Sequence, residues 1–160
     1  MRRMLALLLG VFAISLVSAT AAFAVSPHFL KADASVDNAG NLVCSFKEAG
    51  LGSVPSVQIT CSADATVVYA CINGGGNHPK ASNKETVNGP VSGGGEFPVR
   101  NGQTTGSISV GPPGAGDFSC PGGQRLVLAS ACYANVTLVG LNGDTVGATP
   151  DPACRTFFAL

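Results

Sequence analysis

Six cysteines, Cys44, Cys61, Cys71, Cys120, Cys132 and Cys154, constrain what this chain of 160 residues can fold into more than any other feature. All of them follow an opening segment, MRRMLALLLGVFAISLVSATAAFA, that reads as an export signal. Arg2 and Arg3 supply a basic start, Met4 to Val17 a nearly unbroken apolar run, and Ala22-Phe23-Ala24 an A-x-A cleavage signature that leaves Val25 as the new N-terminus. The apolar run is shorter than the roughly 20 residues of a membrane span. An even number of cysteines in an exported chain implies three disulfides and a small fold held by them. A metal site is the rival reading. It is disfavoured because no Cys-x-x-Cys occurs and the only histidines, His28 and His78, are not spaced as a ligand pair.

The expected organisation is a signal peptide over residues 1–24 and a single domain over 25–160, a length that buries a sizeable core. Removing Arg2 and Arg3 leaves seven basic against nine acidic side chains, few and dispersed along the chain. No basic stripe is present to neutralise phosphates, so a nucleic-acid partner is not expected. Neither a polybasic lipid patch nor a second apolar run of spanning length is seen, so no membrane insertion is expected after cleavage. The expected location is secreted, with an extracellular or cell-envelope partner of unspecified kind.

Short alternating runs broken by glycine, proline and asparagine fill the chain. Leu42-Cys44-Phe46 alternates with Val43-Ser45-Lys47, and Val57-Ile59-Cys61 with Gln58-Thr60-Ser62, the period of strands with one buried face. Further expected strands are His28–Val36, Thr66–Ile72, Glu96–Arg100, Gly106–Val110, Arg125–Val139 and Cys154–Phe158. Four Asn-Gly pairs, at Asn73, Asn88, Asn101 and Asn142, offer turns with positive φ. Glycine or proline interrupts every helical window, and Val127, Tyr133, Val136, Thr137 and Val139 pull the longest run toward strand. About seven short strands in an exported chain predict an all-β antiparallel sandwich.

Strand register narrows the cysteine pairings. A hairpin of Leu42–Phe46 with Val57–Cys61 across Ala49–Ser56 sets Cys44 opposite Cys61, with Phe46 opposite Ile59. Cross-strand neighbours there lie near the ~5.5 Å Cα separation of a disulfide. Cys61 with Cys71 fits worse, because a tight turn at Asp64-Ala65 sets Cys61 opposite Val68. A turn at Asn142-Gly143 brings Cys132 roughly opposite Cys154, with Pro150 and Pro152 interrupting the ladder near its open end. Cys71 is left with Cys120.

Motifs that suggest chemistry mostly have a simpler explanation. Gly74-Gly75-Gly76 lacks the helix and the Gly-Lys-Ser/Thr of a phosphate loop. A Ser-His-acid triad has only His28, beside the new terminus, and His78, in a Gly/Asn/Pro-rich loop, and no Gly-x-Ser-x-Gly elbow. Carboxylate pairs for glycoside hydrolysis are open in principle among Glu48, Asp64, Glu85, Glu96 and Asp117. Each lies in or beside an expected turn, where a solvated acid is the default. Asp33, Ser35 and Asp37 lack the glycine and glutamate spacing of a calcium loop and read as the wet face of a strand. No tryptophan and only Tyr69 and Tyr133 are available to stack on a sugar. Asn135-Val136-Thr137 is a formal glycosylation sequon. No catalytic, cofactor or metal residue is therefore assigned, and no cofactor is expected. The long loop after Cys71 is the natural recognition element, with Asn77, His78, Lys80 and Lys84 as contact residues.

The stretches Val43-Cys-Ser-Phe-Lys-Glu-Ala-Gly-Leu-Gly52, Tyr69-Ala-Cys-Ile-Asn-Gly-Gly-Gly-Asn77, Val110-Gly-Pro-Pro113 and Phe118-Ser-Cys-Pro-Gly-Gly-Gln-Arg-Leu-Val-Leu-Ala129 carry a resemblance. The chain resembles a family of small secreted actinobacterial and fungal proteins of uncharacterised function. The resemblance implies an immunoglobulin-like sandwich, agrees with pairing Cys71 to Cys120, and supplies no catalytic residue. In composition and expected fold the chain is also similar to the small secreted apoproteins that carry enediyne antibiotics, though no motif supports that likeness. The expectation is a secreted, non-catalytic binding, envelope or matrix-associated protein. A small-ligand carrier and a small secreted hydrolase are the alternatives.

Overall fold

The structure is a computed structural model that describes residues 25–73 and 83–159. The export segment and the contact residues Asn77, His78 and Lys80 lie outside these. Among the described residues eight strands, against the seven or so expected, follow in order: β1 (His28–Val36), β2 (Leu42–Ala49), β3 (Ser56–Asn73), β4 (Lys84–Pro98), β5 (Gln103–Val110), β6 (Gln124–Val139), β7 (Thr145–Gly147) and β8 (Ala153–Thr156). One antiparallel sheet has the order β1-β2-β5. The other has the order β4-β3-β6-β7, with β8 also paired to β6.

The core between the sheets is written in the alternation. Leu42, Cys44 and Phe46 of β2 meet Val57, Ile59, Cys61, Ala63, Ala65 and Val67 of β3, with Ile108 and Val110 of β5 and Tyr133, Val136 and Leu138 of β6. Phe46 stands edge-on to Phe97 of β4, ring centroids 4.8 Å apart, a geometry that sets ring edge against π-face. Tyr133 is fully buried and its hydroxyl donates to Gly40 O at 2.6 Å. Burial pushes its pKa up to about 12. The bond ties β6 to the β1–β2 turn. In that turn Asp37 accepts from Ala39 N, Asn41 N and Asn41 Nδ2, and these bonds hold its carboxyl below the usual range. Asp37 is thus a turn residue, not the strand residue expected.

Several local expectations are corrected. β2 and β3 do not form a hairpin: β2 pairs with β1 and β5, β3 with β4 and β6. Cys44 and Cys61 are bonded nonetheless, across the core between the two sheets, with Cα atoms 6.4 Å apart. No turn forms at Asp64-Ala65. β3 runs through it for 18 residues, because Ala63, Ala65 and Val67 continue its inward face while Asp64 and Thr66 stay outside. Asn88-Gly89 lies within β4 rather than at a turn, and Arg100 falls beyond that strand. Asn101-Gly102 does turn the chain from β4 to β5, with φ of 52° and 70° and Arg100 and Gln103 exchanging backbone bonds, as a two-residue hairpin turn requires.

The other two disulfides follow the expected pairing. Cys71 at the end of β3 joins Cys120 in the β5–β6 connection, Cα atoms 5.5 Å apart. Cys132 of β6 opposes Cys154 of β8 in register, Pro150 and Pro152 lying between β7 and β8. Ala70 and Ile72 continue the outer parity of Val68 on β3, and a bulge at Ala129 in the β3–β6 register brings Val127 and Ala129 to the same face, where they form a second small cluster with Val68 and Phe158.

Candidate functional site

The two flanks of the sandwich differ, and the difference places the candidate surfaces. On the β1 flank, Thr149 N donates to Ala32 O and Thr149 O accepts from Ala34 N, while Ala148 N donates to Val136 O. This strap joins one sheet to the other and bridges the edge of β1 at Asp33. Arg155 of β8 strengthens the closure, donating to Val36 O at 3.1 Å and Asn38 Oδ1 at 2.6 Å.

On the opposite flank β4 and β5 end their sheets. β4 pairs with β3 at all 15 of its positions, Ser56↔Pro98 through Ala70↔Lys84. No strand among the described residues pairs with its other side. Val87, Val91 and Phe97 pack against the core, whereas Thr86, Asn88, Pro90, Ser92, Gly94 and Glu96 are exposed. Charge sits only at the ends, on Lys84, Glu85 and Glu96, and Ser56 Oγ donates to the Glu96 carboxylate. Between them Val87–Gly95 carries no charge. Natural edge strands are usually guarded by charge or proline, and here Pro90 is the only guard along the middle.

Among the solvent-open clefts of the described residues are three that bear on the candidate side chains. The first, of about 400 Å³, lies over Ser62, Asp64, Pro90, Ser92 and Asn135. Asn135 has φ of 54° at a bulge in β6. Its Nδ2 donates to Asp64 Oδ2 at 2.8 Å and its N–H to Asp151 Oδ1 at 2.9 Å. The sequon amide is therefore exposed but already bonded. The second cleft, of about 410 Å³, lies between β4 and the loop after β5, lined by Glu85, Val87, Gly114, Ala115, Asp117 and Phe118. Tyr69 Oη donates to Pro113 O at 2.8 Å and helps to seat that loop. Lys84, the one contact candidate within the described residues, is exposed beside this cleft. The third, of about 330 Å³, is lined by Lys47, Pro98, Arg100, Gln103, Thr104 and Thr105.

Of the expected carboxylates, Glu85 and Asp117 line one cleft together, and Asp64 and Glu96 stand apart from them. Glu48 corrects the expectation of a solvated acid: it is fully buried. Its parity explains why, since Leu42, Cys44, Phe46 and Glu48 share the inward face of β2. Oε1 accepts from Leu141 N at 3.0 Å, in the turn that joins β6 to β7. Gly140 closes over the carboxyl so tightly that a Cβ there would overlap it. Glu48 Oε2 and Asp144 Oδ2 are both buried without a hydrogen-bond partner among the described residues. Burial, with the neighbouring Asp144 carboxylate, raises the Glu48 pKa against the opposing pull of the Leu141 N–H and His28. His28 itself is exposed at the start of β1, its Nδ1 2.9 Å from Ser26 O.

Among the described residues no group of three or more His, Cys, Asp or Glu side chains is placed to hold a metal ion, and no helix is long and apolar enough to cross a membrane. No protein-family model, curated protein or solved structure matches the chain.

Proposed function

We propose that this is an exported, disulfide-stabilised interaction protein that binds an extracellular or cell-envelope partner without performing catalysis. The observation that carries the reading is β4, a 15-residue strand paired on one side only and uncharged from Val87 to Gly95. Such an edge offers a row of backbone donors and acceptors to an extended segment of another chain. Pro90 limits an added strand to one half of β4 or the other, because proline has no N–H to give. The three disulfides suit an oxidising, extracellular setting.

The reading includes immunoglobulin-like character and membership of the small secreted family described above. In support, β1-β2-β5 against β4-β3-β6-β7 matches the order A-B-E against C′-C-F-G of that sandwich class. The inter-sheet disulfide here joins the second and third strands, where antibody domains join B and F.

Native mass spectrometry of the protein purified from its own culture medium tests the proposal. A stable protein partner or a homo-oligomer is the expected result, and a bare monomer from every preparation overturns it. The 410 Å³ cleft walled by Val87 and Phe118 favours the carrier as a second reading, since this volume suits a small ligand. A co-purifying small molecule would select it.

A further inference from the structure

The charges that look dispersed along the sequence are not dispersed on the surface. Six cationic side chains belong to the described residues: Lys31, Lys47, Lys84, Arg100, Arg125 and Arg155. Three of them, Lys31, Lys47 and Arg100, gather at one end of the outer face of the β1-β2-β5 sheet. Lys31 and Lys47 are direct cross-strand partners, and Lys47 is in turn the partner of Thr105. Like charges placed opposite each other across strands are destabilising, and a chain with so few charges has no need to put two of them there. Lys31 is compensated by Asp33, Nζ to Oδ2 2.7 Å. Lys47 and Arg100 make no ion pair or side-chain hydrogen bond among the described residues, yet both line the 330 Å³ cleft with Gln103, Thr104 and Thr105. No carboxylate among the described residues lines that cleft. Lys47 and Arg100 are thus left without compensation among the described residues, which is what a binding site looks like when its ligand is missing from the balance.

The face continuing from the cleft bears hydroxyls in register. Ser45 pairs with Ser107, and Ser35 and Ser109 flank Val43. We propose that this face binds an anionic polysaccharide. Lys47 and Arg100 take a carboxylate or sulfate in the cleft, Arg100 by its planar fork of donors. Gln103, Thr105 and the serine rows meet the sugar hydroxyls. The inference rests on the extracellular-binding reading but uses a different face from the β4 edge.

The test measures binding of the intact, disulfide-bonded protein to heparin, polygalacturonate, neutral dextran and single-stranded DNA over a range of NaCl concentrations. Binding to heparin or to polygalacturonate, weakening as salt rises, is expected, and the polymer that binds identifies sulfate or carboxylate as the group held. The double variant Lys47→Gln/Arg100→Gln should weaken that binding by about tenfold or more, two charge-assisted contacts being lost. Lys84→Gln/Arg125→Gln, the same change of charge elsewhere, should stay within about twofold. Neither double variant should have an unfolding midpoint below the parent's, because all four side chains avoid the core. Four results would overturn the inference: binding to neither anionic polysaccharide, equal loss in the control pair, binding insensitive to salt, or equally tight binding to DNA. Each would leave the β4 reading standing, because that reading is tested on protein partners.

Discussion

Replacing Glu48 with glutamine should stabilise the protein near neutral pH and leave it unchanged in acid. Glu48 is fully buried, holds one backbone N–H at 3.0 Å, and its other oxygen, like Asp144 Oδ2, is buried without a hydrogen-bond partner among the described residues. Burial and the Asp144 charge raise the folded-state pKa above its ordinary 4.5, while His28 and the Leu141 N–H act in the opposite sense. A carboxyl whose folded pKa is raised binds its proton more tightly in the folded state. Its contribution to stability is therefore fully present below the unfolded value of 4.5 and is lost as pH rises through the folded one. Glutamine keeps the acceptor for Leu141 N, never ionises, and can donate its amide toward Asp144. The gain at pH 7–8 should match the penalty of a buried polar atom left unsatisfied, about 1–3 kcal/mol. For a domain of this size that is roughly 4–12 °C in unfolding midpoint. Circular dichroism melts of parent and Glu48→Gln from pH 4 to 8, without reductant, measure it. The curves should converge at pH 4 and separate above it, the parent falling and the variant staying flatter. A variant less stable than the parent at pH 7–8, together with a parent profile that does not fall, would refute the reasoning.

Three further outcomes are expected from substitutions elsewhere. Cys71→Ser/Cys120→Ser opens a loop of 49 residues and should cost about 4 kcal/mol on the chain-entropy estimate, read as a lower urea midpoint with the remaining bridges intact. Tyr133→Phe removes the buried hydroxyl bonded to Gly40 O and should cost about 1–2 kcal/mol, leaving that carbonyl unpaired. Gly140→Ala drives a methyl group into the Glu48 carboxyl. It should destabilise by about 1–3 kcal/mol, and a double-mutant cycle with Glu48→Gln should be non-additive, since the two sites touch.

The parts of the fold legible in the sequence are those written in alternation and in cysteine number. β1 has the bounds expected, and Leu42-Cys44-Phe46 and Val57-Ile59-Cys61 face the core as their period requires. All three cysteine pairs come out as read, but for Cys44 and Cys61 the geometry differs. Residues that alternate inward on facing sheets meet across the core just as hairpin neighbours meet along an edge, and period alone does not separate the two. Glu48 was within reach, because it continues the inward parity of Phe46; its charge and the nearby glycines obscured that. β4 was hidden for another reason. An edge strand with an open side tolerates Gly93-Gly94-Gly95, Pro90 and an Asn-Gly pair, so only Val87, Val91 and Phe97 mark its inner face. The gathering of Lys31, Lys47 and Arg100 depends on the register of β1 with β2 and on the β4–β5 turn. Asn101-Gly102 marks that turn in the sequence, but the register does not follow from local sequence.

The most direct test of binding through the open edge is hydrogen–deuterium exchange of the native complex against the isolated protein. Amides within β4, on one side of Pro90 or the other, should gain protection in the complex, while those of β1 and the Ala148–Pro150 strap stay unchanged. Protection gained elsewhere, with β4 exchanging at the same rate in both samples, would contradict it.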